Sequence, residues 1–368
     1  MGFHSSKADH SLFCRFHKHH CTYLLVYVDD IIITGSDPTL ITLLVSQLHK
    51  SFALKDLGAL SYFLGIEVSS TSTGLHLSQQ KYITDLLHRT GMLTARPFPS
   101  PMVASTGHSL SAYTGSPVSN STEYRSVVGA LQYATITRPD IAYSVNRVCQ
   151  FMQYPLDEHW KAVKRILWYL QGTLTAGLHF TRLNSVSSLN LVAYSDADWA
   201  SNPDDRKSTS GFCIFFGPNL VTWSAKKQHT ISRSSTEAEY RSLASTVAEL
   251  TWLKSLLQEL RVPQPVIPTI WCDNLSTIAM ASNPVLHART KHIELDLYFV
   301  RDKVVQGAIQ VNHVPTIDQL ADIFTKALPT PRGSPLAKVC CQWGLNLALC
   351  HILTPQRHSD STGATCLG

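Results

Sequence analysis

Four acidic residues in the second half of the chain stand where an α/β fold would place chemistry. They are Asp196 in Tyr194-Ser195-Asp196-Ala197-Asp198-Trp199, Glu237 at the opening of a long amphipathic segment, Asp273 in Trp271-Cys272-Asp273-Asn274, and Asp322 in Gln319-Leu320-Ala321-Asp322-Ile323. Asp196 and Asp273 each close a strand-like run. With those strands adjacent at the centre of one sheet, both carboxylates would reach the crevice where such sheets bind ligands. Carboxylates gathered there repel one another unless cations lie between them, and hard oxygen donors that leave room for water and phosphate suit Mg2+ or Mn2+. Two such ions about 3.5–4 Å apart can activate a water and stabilise the leaving oxygen of a phosphodiester. Taken singly, each acid has an ordinary use: Glu237 as a helix cap, the aspartates as turn formers or solvated surface. A further pair, Asp29-Asp30, sits between the runs Tyr23–Val28 and Ile31–Ile33, which predict a tight hairpin with carboxylates at its tip.

The elements that must position the four acids follow from spacing. Strand-like runs at Leu191–Tyr194, Gly211–Phe216 and Leu220–Ser224 are joined by turns, Gly217-Pro218-Asn219 being the clearest. Ser234-Ser235-Thr236-Glu237 has the form of a capping box. Tyr240, Leu243, Val247, Leu250, Leu253, Leu257 and Leu260 then recur at helical spacing, and Pro263 stops the helix. A strand (Thr269–Cys272), helices over 274–282 and 290–305, a strand (Ala308–His313) and a helix over 317–327 complete a β-β-β-α-β-α-α-β-α order, an α/β unit with a mixed sheet covered by helices. Upstream, a helix carries Leu40, Leu43, Leu44 and Leu48, and strands follow around Tyr62–Val68 and Leu75–Leu77. Residues 95–121 are a Pro/Ser-rich loop, with helices expected over 122–134, 140–151 and 157–172. The last of these buries Trp160, Val163, Leu167 and Leu170, and its other face shows Lys161, Lys164, Arg165 and Trp168 as a basic stripe with an aromatic. Periodicity ends at Pro329, and 354–368 reads as a disordered tail. The organisation expected is therefore four segments: 1–80, 81–185, 186–330 and a largely disordered 331–368.

Composition excludes several classes. The 368 residues are 44% hydrophobic, ample for sizeable cores, and only 15% charged. No run approaches the roughly 20 apolar residues of a membrane span, and the N-terminus lacks a secretory core. Nine cysteines at scattered spacings fit reduced thiols inside a cell rather than a disulfide framework. Cys14 and Cys21 flank His17, His19 and His20 without matching a zinc pattern. The net charge of +5 is uneven: residues 81–182 hold 10 Lys/Arg against 5 Asp/Glu. A basic block between near-neutral ones suits a polyanion track.

Five linked motifs make the sequence recognisable. Tyr194–Ala200, Asp205–Gly211, Ser234–Tyr240, Arg289–Ile293 and Gln319–Lys326 resemble the ribonuclease H domain of copia-type retrotransposon Pol polyproteins. Tyr27-Val28-Asp29-Asp30 resembles the catalytic hairpin of the reverse transcriptase palm in the same polyproteins, and Leu64–Glu67 and Asp157–Trp160 resemble the segments between the two. The resemblance runs from about residue 2 to 329. It implies a ribonuclease H-like mixed five-stranded sheet for 186–330, preceded by a truncated palm and a helical thumb or connection. It maps the family's four-carboxylate metal site onto Asp196, Glu237, Asp273 and Asp322, implying Mg2+-dependent cleavage of the RNA strand of RNA–DNA hybrids. One ion would lie at Asp196 with Asp322, the other at Asp196, Glu237 and Asp273. Ser208, Thr209 and Asn274, with the basic stripe of Lys161, Lys164 and Arg165, are the candidate substrate contacts. His313 is out of register for the histidine that some relatives place before the last aspartate.

For the polymerase half the resemblance implies a further upstream aspartate and fingers, which this sequence does not contain. Asp29 and Asp30 are thus expected to be a vestigial polymerase site, on a sheet with an unpaired apolar edge. Expected partners are an RNA–DNA hybrid and other parts of a Pol polyprotein, within an intracellular virus-like particle, with no membrane. The alternative is a decayed transposon fragment that binds nucleic acid without cutting it, and residual reverse transcription is a third reading.

Overall fold

The computed structural model describes residues 2–52, 54–104, 109–183, 185, 189–283 and 293–327, with the backbone of 365–367. The first sheet is built on the hairpin expected from sequence. Strands β1 (His4–Ser5), β2 (Leu12–His17), β3 (His20–Tyr27) and β4 (Asp30–Gly35) pair antiparallel in chain order. Tyr27 faces Asp30, so the turn is Val28-Asp29. Helix α1 (Pro38–Ser51), capped by the Asp37 carboxylate, lays Ile41, Leu44, Val45 and Leu48 against Ile33. Strand β5 (Asp56–Ala59) closes the sheet.

The edge of β4 is not left open. Thr365–Leu367 runs antiparallel along Ile31–Ile33 and joins β4 to β5. This corrects two expectations, the unpaired edge and a disordered tail at these three residues. A row of free amides and carbonyls on an edge strand is a template for any extended segment. The rest of the expected tail, 331–364, lies outside the described residues.

A second sheet, β6 (Tyr62–Phe63), β7 (Ile66–Ser70), β8 (Gly74–Ser78) and β9 (Leu178–Thr181), is antiparallel throughout. Strand β9, too short to show periodicity, was not foreseen. Helices α2 (Gln80–Arg89), α3 (Ser121–Ala134), α4 (Ala142–Cys149) and α5 (Asp157–Gln171) share a core of Ile83, Leu87, Val128, Leu131, Val145 and Leu167. Helix α2 and strand β2 were also missed from sequence.

The third sheet carries the acids. Strands β10 (Leu191–Asp198), β11 (Thr209–Phe216) and β12 (Asn219–Lys227) form an antiparallel meander, and the long helix α6 (Ser235–Glu259) follows. Strand β13 (Thr269–Cys272) returns parallel to β10, then come helices α7 (Leu275–Ser282) and α8 (Glu294–Val305) and strand β14 (Gln310–His313), parallel to β13. The resulting order β12-β11-β10-β13-β14 is a mixed five-stranded sheet with the first and fourth strands adjacent at its centre, the condition for Asp196 and Asp273 to meet. Tyr240, Leu243, Val247, Leu250, Leu253 and Leu257 of α6 cover Ala193, Ile214 and Ile270. The helix expected over 317–327 is instead two 3-10 turns, Thr316–Asp318 and Leu320–Phe324. They break at Gln319, whose extended backbone lets its side chain cap Ala321 N and donate to the Ser195 carbonyl on β10.

The first sheet packs on the far end of α6. Tyr23 Oη donates to the Leu260 carbonyl, Trp252 Nε1 to the Ala8 carbonyl, and the Arg261 guanidinium lies 3.8 Å from the centre of the Phe16 ring. Cys14 and Tyr23 therefore belong to the same apolar core as Leu256 and Leu260.

Candidate active site

Strand alternation and parallel pairing deliver the first two acids. Asp196 lies near the end of β10, 2% exposed, and Asp273 follows directly on β13. Asp273 Oδ2 accepts a hydrogen bond from Thr316 Oγ1 at 3.0 Å. Asp322, on the second 3-10 turn, lies close enough to Asp196 for the two carboxyls to interact. Lys326 Nζ stands 2.7 Å from Asp322 Oδ1 and 3.5 Å from Asp196 Oδ2, and Thr325 Oγ1 donates to Asp196 Oδ2.

The glutamate of this cluster is Glu239, not Glu237. Glu239 is 6% exposed and lies beside Asp196 and Asp273, whose charges act on it. One of its carboxylate oxygens, the Cys272 thiol and an oxygen of Asp273 lie within 4.8 Å of one another. Glu237 is used locally instead. Its amide donates to the cap Ser234 Oγ, its Oε2 accepts from the Arg233 amide, and its Oε1 pairs with Arg241 at 2.8 Å. Residues two apart on an α-helix point about 200° apart, so only one of the two acids can face the sheet. The apolar stripe decides which: Glu239 precedes Leu243 by four positions and shares its face, whereas Glu237 precedes Arg241. The phase of that stripe is the available signal, whereas the position of Glu237 at the helix opening points to the wrong acid. Cys272 was likewise missed. Burial, then Glu239, pushes its thiol far above the usual range.

The electrostatics are those of acids crowded without a divalent cation. Burial first, then Asp196 and Asp273, raises the Glu239 carboxyl well above its ordinary range. Burial and Asp196 raise Asp322 to about 6 against the pull of Lys326. An acid whose folded value is raised stabilises the fold while protonated, fully so below its unfolded value of about 4. That contribution is lost as pH rises through about 6 for Asp322 and at still higher pH for Glu239. Thermal melts of the metal-free protein should therefore fall in midpoint between about pH 5 and 8, and Glu239→Gln should flatten the trend. A slope unchanged in that variant would remove Glu239 as its source.

Gly211 makes the assembly of Asp322 with Asp196 geometrically feasible. It is the cross-strand partner of Asp196, and a Cβ there would meet Phe324 Cβ and Thr325 Cγ2, each at 2.7 Å. Gly211→Val is expected to dislodge the 320–326 segment and cost about 1–3 kcal/mol through overpacking. Denaturant titration measures that loss.

The expected substrate contacts are largely engaged elsewhere. Ser208 and Thr209 are buried in the β10–β11 seam: Ser208 Oγ accepts from the Ala200 amide, and the Thr209 amide donates to Asp198. Asp198, raised to about 7 by burial, accepts from the Thr209 amide and the Ser201 hydroxyl, so the buried Ser208 and Thr209 scaffold the strand end and are not surface contacts. Asn274 caps α7 through Oδ1. On α5, Lys161 pairs with Glu158 at 2.6 Å and Lys164 lies 6.0 Å from the centre of the Trp160 ring. Arg165 turns to Ser100 and stacks on Phe98, whose ring also stacks on Trp168. The proline-rich loop thus covers half of the expected basic stripe.

Asp29 and Asp30 lie at the tip of the β3–β4 hairpin, where Val28 holds a left-handed φ of 50°. Such a value is an outlier for a β-branched residue. Among the described residues, the one group of three metal-ligating side chains with converging donor atoms is Glu239, Cys272 and Asp273. The Arg289–His292 part of the fourth motif lies outside the described residues.

Comparison with known proteins places these features in context. Residues 1–104 match the reverse transcriptase (RNA-dependent DNA polymerase) family. A retrovirus-related Pol polyprotein from transposon RE1 of Arabidopsis thaliana is 50% identical over 328 residues, 89% of this chain and 22% of that polyprotein. An uncharacterised mitochondrial protein of the same plant is 48% identical over 230 residues, 62% of this chain and 93% of that protein. A putative transposon Ty5-1 protein of Saccharomyces cerevisiae is 32% identical over 253 residues, 68% of this chain and 80% of that protein. This chain spans about a fifth of the length of the Arabidopsis transposon polyproteins it matches. Among solved structures, LC11-RNase H1 isolated from compost is similar over 37% of this chain and 93% of its own, at 15% identity and a TM-score of 0.30.

Proposed function

We propose that this chain, which belongs to the copia-type retrotransposon Pol polyproteins, cleaves the RNA strand of RNA–DNA hybrids through residues 186–330 with Mg2+ or Mn2+ as cofactor. The observation that carries the reading is the convergence of Asp196, Glu239, Asp273 and Asp322 at the C-terminal ends of β10 and β13. The donors suit a hard divalent cation: Glu239 Oε2 is buried without a hydrogen-bond partner, and all four groups offer carboxylate oxygen. Asp196 interacts with both Glu239 and Asp322, which suits it to be the ligand shared by both halves of the site. Bound divalent ions would supply a water nucleophile and stabilise the leaving oxygen.

The chain's own residues set the frame for that chemistry. Gln319 ties the turn bearing Asp322 to β10, and Thr316 of the same segment donates to Asp273. Helix α6 holds Glu239 rigidly because its neighbours Tyr240 and Leu243 are locked in the core. The proposed partners are an RNA–DNA hybrid and the remainder of a Pol polyprotein. Among the described residues no helix is long and apolar enough to cross a membrane.

The test is cleavage of a labelled hybrid by the full chain with Mg2+, beside Asp196→Asn. Cutting by the wild type alone supports the reading. Hybrid binding without cutting by either protein would leave a nucleic-acid-binding fragment. Primer extension by the same preparation is expected to be absent, because no third metal-ligating side chain joins Asp29 and Asp30 among the described residues. Extension that disappears in Asp30→Asn would overturn that expectation.

A further inference from the structure

We infer that Lys326 is a tethered cation that competes with divalent metal for Asp196 and Asp322, and so sets how much metal the site requires. The inference rests on the reading of these carboxylates as metal ligands. The ammonium reaches Asp322 Oδ1 at 2.7 Å and Asp196 Oδ2 at 3.5 Å, so it sits against the oxygens that a divalent ion would take. Its position is fixed by the fold. Lys326 follows Asp322 by four residues, its amide donates to the Asp322 carbonyl at 2.9 Å, and Gln319 anchors the segment to β10.

The burial pattern makes the contact exchangeable. Asp196 is almost fully buried and Asp322 largely so, whereas the lysine side chain is 41% exposed. The acids cannot leave the site, but the ammonium can swing into water on its flexible stem. Two neighbouring carboxylates need a counter-charge when no metal is present, and Lys326 supplies a single charge through hydrogen bonds. A divalent ion brings twice the charge and binds the oxygens directly. The two cations claim the same oxygens, so a metal held by Asp196 with Asp322 must first expel the lysine. The apparent dissociation constant is then the intrinsic one divided by the fraction of molecules with Lys326 withdrawn.

Removing the ammonium should therefore tighten metal binding without new ligands. Calorimetric titration of the full chain with Mn2+ and Mg2+, in the absence of nucleic acid, compares wild type, Lys326→Met and Lys326→Arg. The Met variant is expected to bind about tenfold more tightly, the gain when a competitor occupies roughly nine molecules in ten. The Arg variant keeps a cation in place and stays near wild type. Equal or weaker binding by a folded Met variant overturns the inference, with Lys326→Gln as the replacement if the Met variant does not fold. Metal binding absent from every protein, Asp196→Asn included, would instead sink the metal reading of the site.

Discussion

Glu239→Gln is expected to abolish hybrid cleavage, by at least about a hundredfold, the scale on which one preorganised electrostatic partner acts. Glu237→Gln is expected to leave the rate within a few-fold and to cost about 1 kcal/mol of stability. The contrast isolates the site, because the two acids lie two residues apart on one helix and differ in what they touch. Glu239 meets Asp196 and carries a buried oxygen without a partner. Glu237, equally buried at 5% exposed, meets Arg241 and the Arg233 amide instead. Gln in place of Glu239 keeps the volume and removes the charge, so the loss reads as lost chemistry. Cleavage rates paired with denaturant midpoints for both variants decide the matter. The reverse ranking would return the role to Glu237 and break the geometric case for the cluster.

The largest stability effect is expected at a buried ion pair outside the site. Arg138 is 1% exposed, and its guanidinium donates twice to Asp140, at 2.9 and 2.7 Å, and to the Thr173 carbonyl and hydroxyl. Tyr169 Oη also donates to Asp140. Burial alone would raise the Asp140 carboxyl, but Arg138 and Tyr169 hold it below the usual range. Arg138→Met strands that carboxylate and is expected to cost about 3–5 kcal/mol. The double variant Arg138→Met with Asp140→Leu should recover much of the loss, because no unpaired charge remains. Asp140 also contributes to acid sensitivity. Its stabilisation is present above the unfolded value of about 4 and is lost as pH falls through the depressed folded value. A single variant as stable as wild type in urea would show the pair to be neutral.

Much of the frame was legible because it rests on local pattern. The β3–β4 hairpin, the β10–β12 meander and α6 each advertise themselves through β-favouring runs, turn residues or a helical stripe. The adjacency of β10 and β13 entered only as a condition, because strand order is not a local property. What escaped depended on contacts far apart in sequence. Leu320, Ile323 and Phe324 repeat at three and four residues, a spacing that a 3-10 turn shares with an α-helix. Thr209 reads as exposed until the Asp198 carboxylate that its amide serves is known. Arg165 and Trp168 look solvent-facing on α5, yet Phe98 and Ser100 of a loop without periodicity cover them. The choice between Glu237 and Glu239 is readable from helix phase, against the helix-opening position that singles out Glu237.

Helix α6 joins two separate corners of the molecule. Glu239 lies in its second turn, and the Leu260 carbonyl that receives Tyr23 lies at its far end, a span of about 32 Å at 1.5 Å per residue. The helix is therefore a rigid ruler between the acidic cluster and the sheet bearing the Asp29-Asp30 tip. Its screw geometry couples length to bearing: inserting one residue midway would push the two ends about 1.5 Å apart and twist one against the other by about 100°. A nucleic acid lying across both corners would lose its alignment with one of them, so indels within this span are predicted to be far more damaging than substitutions on its outer face.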